Sequence, residues 1–217
     1  MSTKTLKIKV SSAIGSVSAR YMASSKPVCV LTLAHGAGAN MDHVFMETLA
    51  ASLAGAGIST LRFNFPFTEQ QKKRPDTPAV AYATIAAAIE KAQSIAPGIP
   101  LFAAGKSFGG RMTSQYLSEH PESPVKGVVF YGFPLHAAGK PSTDRAAHLQ
   151  AIRIPMLFLQ GSKDALATWD LIEEVCSRLP TATLVKLEGA DHSFKAGKKD
   201  VISLLTAETK EWMGGIL

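Results

Sequence analysis

A chain of 217 residues, 46% of them hydrophobic, can bury one substantial core, and the expectation is a single domain over 1–217. No apolar run reaches the roughly 18 residues of a membrane span, and the N-terminal stretch alternates Lys4, Lys7 and Lys9 with apolar residues where a secretory signal would be continuously apolar. A net charge of +6, scattered apart from one cluster, argues against a nucleic-acid surface, and the two cysteines, Cys29 and Cys176, have neither disulfide-framework nor metal-ligand spacing.

Residues 7–10 and 17–22 read as two short opening strands, with one wet face on the first. Residues 28–34 form a near-continuous apolar run, the pattern of a strand buried on both faces. Residues 42–53 carry Phe45, Leu49 and Leu53 at helical spacing, and Gly55 and Gly57 close the segment. A strand follows at 58–65. Asp76-Thr77-Pro78 then starts a helix whose inner stripe is Tyr82, Ile85 and Ile89 and which Pro97 stops. Further strands are expected at 100–104, 125–131, 155–160 and 183–187, and helices at 109–120, 168–179 and 200–213. Strands and helices alternating at this pitch predict an α/β fold: a mostly parallel sheet covered on both faces, with working residues at the carboxyl ends of its strands.

One turn in this series carries chemistry. Gly105-Lys106-Ser107-Phe108-Gly109 lies between the strand at 100–104 and the helix that follows. A strand-to-helix turn this sharp strains the serine backbone and leaves no room for side chains two residues to either side, so the nucleophile takes the form Gly-x-Ser-x-Gly. The Gly-Lys-Ser letters also end a phosphate-binding loop, but that loop needs a glycine where Pro100 stands and a flexible stretch where Leu101 to Ala104 form a strand.

A serine hydroxyl needs a base, and the base an orienting carboxylate, in the order Ser, Asp or Glu, His. Asp164 follows the strand at 155–160, and His192 follows the strand at 183–187, so Ser107, Asp164 and His192 are the expected catalytic residues. Among rivals, Asp191 reads as a turn residue, Asp170 as an early-helix acid, and Asp144 as a lesser alternative in an irregular stretch. His43 and His120 sit on helical segments and read as surface or capping residues, and His35 reads as a buried scaffold for its loop. The amide of Phe108, at a helix start, and that of Ala37, in the small-residue loop 34–40, are the expected oxyanion donors. His136, Lys106 and Arg74 are candidate substrate contacts, with His148 and the rest of the basic loop Lys72-Lys73-Arg74 beside them. Arg62 and Arg111 are expected to tie loops to the sheet through Asp76. Residues 132–154 are too few for a full helical cap, although they could overhang the site, which is therefore expected to be open and shallow.

Together these residues resemble the α/β-hydrolase superfamily over about residues 28–213. His35-Gly36-Ala37-Gly38, Arg62-Phe63-Asn64-Phe65-Pro66, Arg74-Pro75-Asp76, the serine turn through Met112, Gly132-Phe133-Pro134-Leu135-His136 and Asp191-His192-Ser193-Phe194 are similar to a narrower group. That group is the small, nearly capless hydrolases like dienelactone hydrolase, related to the hydrolase-like subunit of the non-specific-lethal chromatin complex. The resemblance implies an α/β-hydrolase fold and an acyl-enzyme mechanism on Ser107, Asp164 and His192. Dienelactone hydrolase itself uses a cysteine nucleophile, so its substrate does not transfer. The expected function is hydrolysis of carboxylic esters or thioesters of small molecules by a cytoplasmic monomer or homodimer, with no cofactor, metal, nucleic-acid or membrane partner. The alternative is a non-catalytic interaction module; a peptidase or C–C hydrolase would use the same machinery.

Overall fold

The computed structural model describes residues 2–217. Eight strands make one sheet: β1 (Ser2–Ser11), β2 (Gly15–Ala23), β3 (Cys29–Ala34), β4 (Ile58–Phe63), β5 (Leu101–Lys106), β6 (Val128–Tyr131), β7 (Met156–Gly161) and β8 (Ala182–Leu187). Their spatial order is β1-β2-β4-β3-β5-β6-β7-β8. The β1–β2 hairpin joins β4 antiparallel, and β3 to β8 are parallel. Among the described residues six α-helices accompany them: α1 (Val44–Gly55), α2 (Pro66–Glu69), α3 (Pro78–Ile95), α4 (Phe108–Glu119), α5 (Trp169–Ser177) and α6 (Val201–Gly214). Among the described residues no helix is long and apolar enough to cross a membrane.

The period-2 geometry of the strands divides the core into two layers. On one face Leu101, Ala103, Val128, Phe130, Met156 and Phe158 pack with Ile85 and Ile89 of α3, Met112 of α4 and Ile172 of α5. On the other, Phe102, Ala104, Val129, Tyr131, Leu157 and Leu159 pack with Met46 and Leu49 of α1 and Leu205 of α6. The central strands bury both sets, which is why their sequences read as unbroken apolar runs.

This layering sets the position of the site. From β3 the chain runs outward to β4, then crosses back so that β5 lies on β3's other side. The helices that follow β3 and β5, α1 and α4, therefore lie on opposite faces of the sheet. Between two strands whose connections diverge in this way, a crevice opens at the carboxyl ends. Ala34 is paired with Gly105 at that edge, so the loop after β3 and the serine turn face each other.

Several boundaries differ from the sequence expectation. β1 runs from Ser2 rather than from residue 7, because its pairing with β2 continues from Ser11↔Gly15 back to Ser2↔Ala23. Helix α1 starts at Val44, where His43 Nδ1 accepts the Phe45 N–H; the residue expected to open it, Asp42, instead pairs with Arg20. β4 stops at Phe63, and Phe65-Pro66 begins the short α2 that periodicity did not show. β6 begins at Val128 rather than at residue 125. In the stretch 132–154 a 3-10 helix, Asp144–Ala151, packs Ala146 and Leu149 into the core layer of α4, and Ser114 Oγ lies 2.7 Å from His148 Nε2. That packing turns the segment down onto the helix face rather than out over the strand ends, and no cap is present among the described residues.

Candidate active site

β5 delivers Ser107 into α4 with backbone angles φ +50° and ψ −115°, a sparsely populated region costing about 1–3 kcal/mol that only surrounding packing can hold. The packing is visible at the flanking glycines. A Cβ at Gly105 would sit 2.2 Å from the amide nitrogen of Gly110, and one at Gly109 would sit 2.5 Å from the carbonyl oxygen of Ala34. The Ser107 side chain makes no capping bond to its own helix, which leaves Oγ for a partner.

That partner comes from the loop after β8. His192 Nε2 lies 2.8 Å from Ser107 Oγ, and Nδ1 lies 2.7 Å from Asp164 Oδ2. Asp164, on the loop after β7, is buried. Its Oδ2 also accepts from Gln160 Nε2 at 2.7 Å, and its Oδ1 accepts from the Leu166 amide at 2.8 Å. A carboxylate so placed accepts a hydrogen bond from Nδ1–H and leaves the Nε2 lone pair to receive the serine O–H. Gly161 and Leu187 are paired at the ends of β7 and β8, and the Asp164 and His192 loops are stitched together where Lys163 N–H donates to Ala190 O and Gly189 N–H to Ser162 Oγ. Asp191 acts within the turn: its Oδ1 accepts the amides of Ser193 and Lys195.

The loop after β3 forms the opposite wall. Gly36 and Ala37 line the same cleft as Ser107 and His192, and the Phe108 amide is at the α4 N-terminus, where N–H groups lack intrahelical partners. The Phe108 ring points elsewhere, edge-on to Phe65 and Phe67. His35 is fully buried beneath this wall. Its Nδ1–H donates to Gly36 O at 2.8 Å and its Nε2 accepts the Phe65 amide at 3.1 Å, so one imidazole ties the β3 loop to the turn into α2. Burial pushes it down to about 4, which keeps it neutral, and the Gly36 bond only partly opposes this. Arg62 adds a second tie, donating from Nη1 to Met41 O at 2.8 Å.

The other sequence candidates fall elsewhere. His136 is 3% exposed; its Nδ1–H donates to Ala137 O and its Nε2 accepts the Thr168 amide, so it braces the α5 start and has no free edge for substrate. Arg74 is exposed and is absent from the cleft walls, as are Lys72 and Lys73. Lys106 borders the cleft, but its ammonium turns to the histidine loop, donating to His192 O at 2.6 Å. Asp76 accepts the Phe67 amide and joins neither Arg62 nor Arg111.

Two contributors escaped the sequence reading. Gln160 is fully buried and bridges the site, its Oε1 accepting the Phe133 amide at 2.8 Å while its Nε2 holds Asp164; the available signal was an amide side chain ending an otherwise apolar strand. His43 lines the cleft from the α1 cap. The cleft over Ser107 has a volume of about 330 Å³. Past His43, Phe45 and Ser193 it meets a second hollow of about 590 Å³, walled by Val44, Val201 and Ile202. Among the described residues no three His, Cys, Asp or Glu side chains gather to hold a metal ion.

A family model described as an alpha/beta hydrolase domain matches residues 27–211. The chain belongs to the α/β-hydrolase family. Solved structures of the family superpose over nearly the whole chain. Dienelactone hydrolase from Anabaena variabilis shares 16% identity at a TM-score of 0.80, covering 100% of this chain and 98% of its own. An alpha-beta serine hydrolase homologue from Coxiella burnetii shares 20% at 0.78, covering 96% and 98%. A serine hydrolase without lid from Xanthomonas campestris shares 19% at 0.75, covering 98% and 95%. At these identities the likeness is one of fold, and the family places this chain among hydrolases without naming a substrate.

Proposed function

We propose that this chain is a serine hydrolase of carboxylic esters or thioesters of small molecules. The observation that carries the reading is the unbroken hydrogen-bond chain from Asp164 through His192 to Ser107 at the floor of an open cleft.

His192 Nε2 takes the Ser107 proton as Oγ attacks the acyl carbon. Asp164 keeps the Nδ1–H tautomer in place and stabilises the imidazolium that forms, while Gln160 and the Leu166 amide hold the carboxylate. The amides of Ala37 and Phe108 receive the oxyanion. His192 returns its proton to the leaving alcohol or thiol, then activates a water that releases the acyl group from Ser107. A 330 Å³ cleft suits a small ester, since it lies at the lower end of about 300–1,000 Å³ for ligand sites.

Turnover of a panel of p-nitrophenyl esters by wild type and Ser107→Ala tests the reading, together with fluorophosphonate labelling. Labelling at Ser107 and loss of at least about 10⁴-fold in kcat on substitution are expected. A scaffold role, of the kind implied by the chromatin-complex resemblance, predicts that folded wild type is as inert and as unlabelled as Ser107→Ala.

A further inference from the structure

Lys106 is the one charged residue of the serine turn, and its side chain bends away from the nucleophile. Its Nζ donates to the main-chain carbonyl of His192 at 2.6 Å and lies 5.0 Å from the centroid of the Phe194 ring. We infer that Lys106 is a positioning residue: a charged strut from the nucleophile's strand to the loop of the histidine base, which holds the imidazole against Ser107. Its effect on turnover rests on the hydrolase reading above; its effect on the loop does not.

The loop needs such a strut. His192 reaches Ser107 across the carboxyl ends of the strands with no cap above it, and its side chain remains 23% exposed. The turn built by Asp191 fixes the amides of Ser193 and Lys195, and Lys106 takes the carbonyl of the base itself. Phe194, at φ +62°, reverses the chain and brings its ring both under the ammonium and against Phe45, 5.5 Å away and nearly parallel. Gly132 leaves the strut its space. A Cβ there would lie 3.3 Å from Lys106 Nζ and 3.6 Å from Asp164 Oδ2, so the ammonium and the carboxylate border one small gap.

Charge matters to this strut, because an ammonium–carbonyl bond is about twice as strong as a neutral one. The titratable groups facing Lys106 are Asp164, Asp191 and His192, with His43 on the far side of the cleft. Burial draws the Lys106 ammonium down to about 8, and Asp164 and Asp191 oppose the fall. The strut is therefore charged at neutral pH and loses its proton in the range where assays are run. Its direct electrostatic effects on the reaction oppose one another, since the transition state forms an imidazolium, which a nearby cation opposes, together with an oxyanion, which it favours. What remains is placement, where a shift of about 1 Å can cost about 100-fold in rate.

Lys106→Met keeps the apolar stem and removes the donor; Lys106→Arg keeps a permanent charge. Two readouts are compared with wild type: backbone hydrogen exchange over 191–195, and kcat and KM for p-nitrophenyl acetate between about pH 6 and about pH 10. In Lys106→Met we expect the loop to exchange at least about tenfold faster and kcat to fall at least about tenfold, with KM within about twofold. In wild type kcat declines above about pH 8 as the ammonium deprotonates. Lys106→Arg restores most of kcat and removes that decline, a rescue that a purely packing role would not produce. Wild-type loop exchange in Lys106→Met, or wild-type kcat with the alkaline decline intact, overturns the inference. If wild type itself hydrolyses no ester, the hydrolase reading fails and the exchange measurement alone decides the strut. If Lys106→Met does not fold, Lys106→Gln, an uncharged donor, takes its place with the same expectations at reduced size.

Discussion

Ser107 holds its angles because two glycines let backbone from α4 and β3 press against the turn. Gly105→Ala places a methyl 2.2 Å from a helix amide that cannot move aside. We expect a loss of about 3 kcal/mol, at the upper end of overpacking costs, read as a melting temperature about 6–12 °C lower. Gln160→Leu keeps the volume but removes both the donor to the Asp164 carboxylate and the acceptor of the Phe133 amide. A hydrogen bond to a charged group contributes about 1.5–3 kcal/mol, so kcat should fall about 10–100-fold with the fold intact by circular dichroism; an unchanged kcat would show that Leu166 alone holds Asp164. His35 gives a pH signature. Its folded value of about 4 lies below the ordinary 6.5, so the unfolded chain binds the extra proton first. The stability from neutral His35 is thus complete above about pH 6.5 and is lost as pH falls toward 4, on the order of 3 kcal/mol. Denaturant titrations across that range should show the slope, and His35→Gln should flatten it.

At the scale of the element, the first turn of α1 borders both hollows. Val44 is 72% exposed there, beside Phe45. Apolar surface left open next to a cleft favours a substrate with an apolar arm, and each methylene buried contributes about 0.8 kcal/mol, or about fourfold. In a p-nitrophenyl series from acetyl to octanoyl, kcat/KM should rise by at least about tenfold before it levels, and Val44→Glu should lower the octanoyl-to-acetyl ratio. A flat series would confine the substrate to the hollow over Ser107. The same element shows where sequence signals end. Phe45, Leu49 and Leu53 announce a helix and His43 reads as a surface or capping residue, but the start expected at residue 42 moves to Val44, because the ring of His43 and not the usual Asp side chain accepts the first amide. Likewise α2 has only four residues, too short for any period to show, and exists because Pro66 follows a residue whose amide His35 takes. The stretch 132–154 reads as a short overhang; its 3-10 helix instead buries Ala146 and Leu149 in the same core layer as Met112 and Leu117 of α4.

At the scale of the whole molecule, the strand order is what makes three distant segments one site. β5 lies between β3 and β6, and the connections from β3 and β5 go to opposite faces, so the crevice opens where the serine turn emerges. β7 and β8 end in register, so the aspartate and histidine loops leave side by side. The amino-acid sequence by itself determined the alternation of strands and helices, the two buried faces and the serine turn, because periodicity, glycine spacing and proline stops are local in the chain. It also ordered Ser107, Asp164 and His192 along that chain. Only the tertiary structure decided which polar side chains meet: that Gln160 grips Asp164, that His136 turns inward to brace α5, and that Lys106 reaches the histidine loop rather than the cleft. These are contacts between residues 4 to 86 positions apart, and their directions follow from how loops pack once the sheet has closed, information that no local pattern carries.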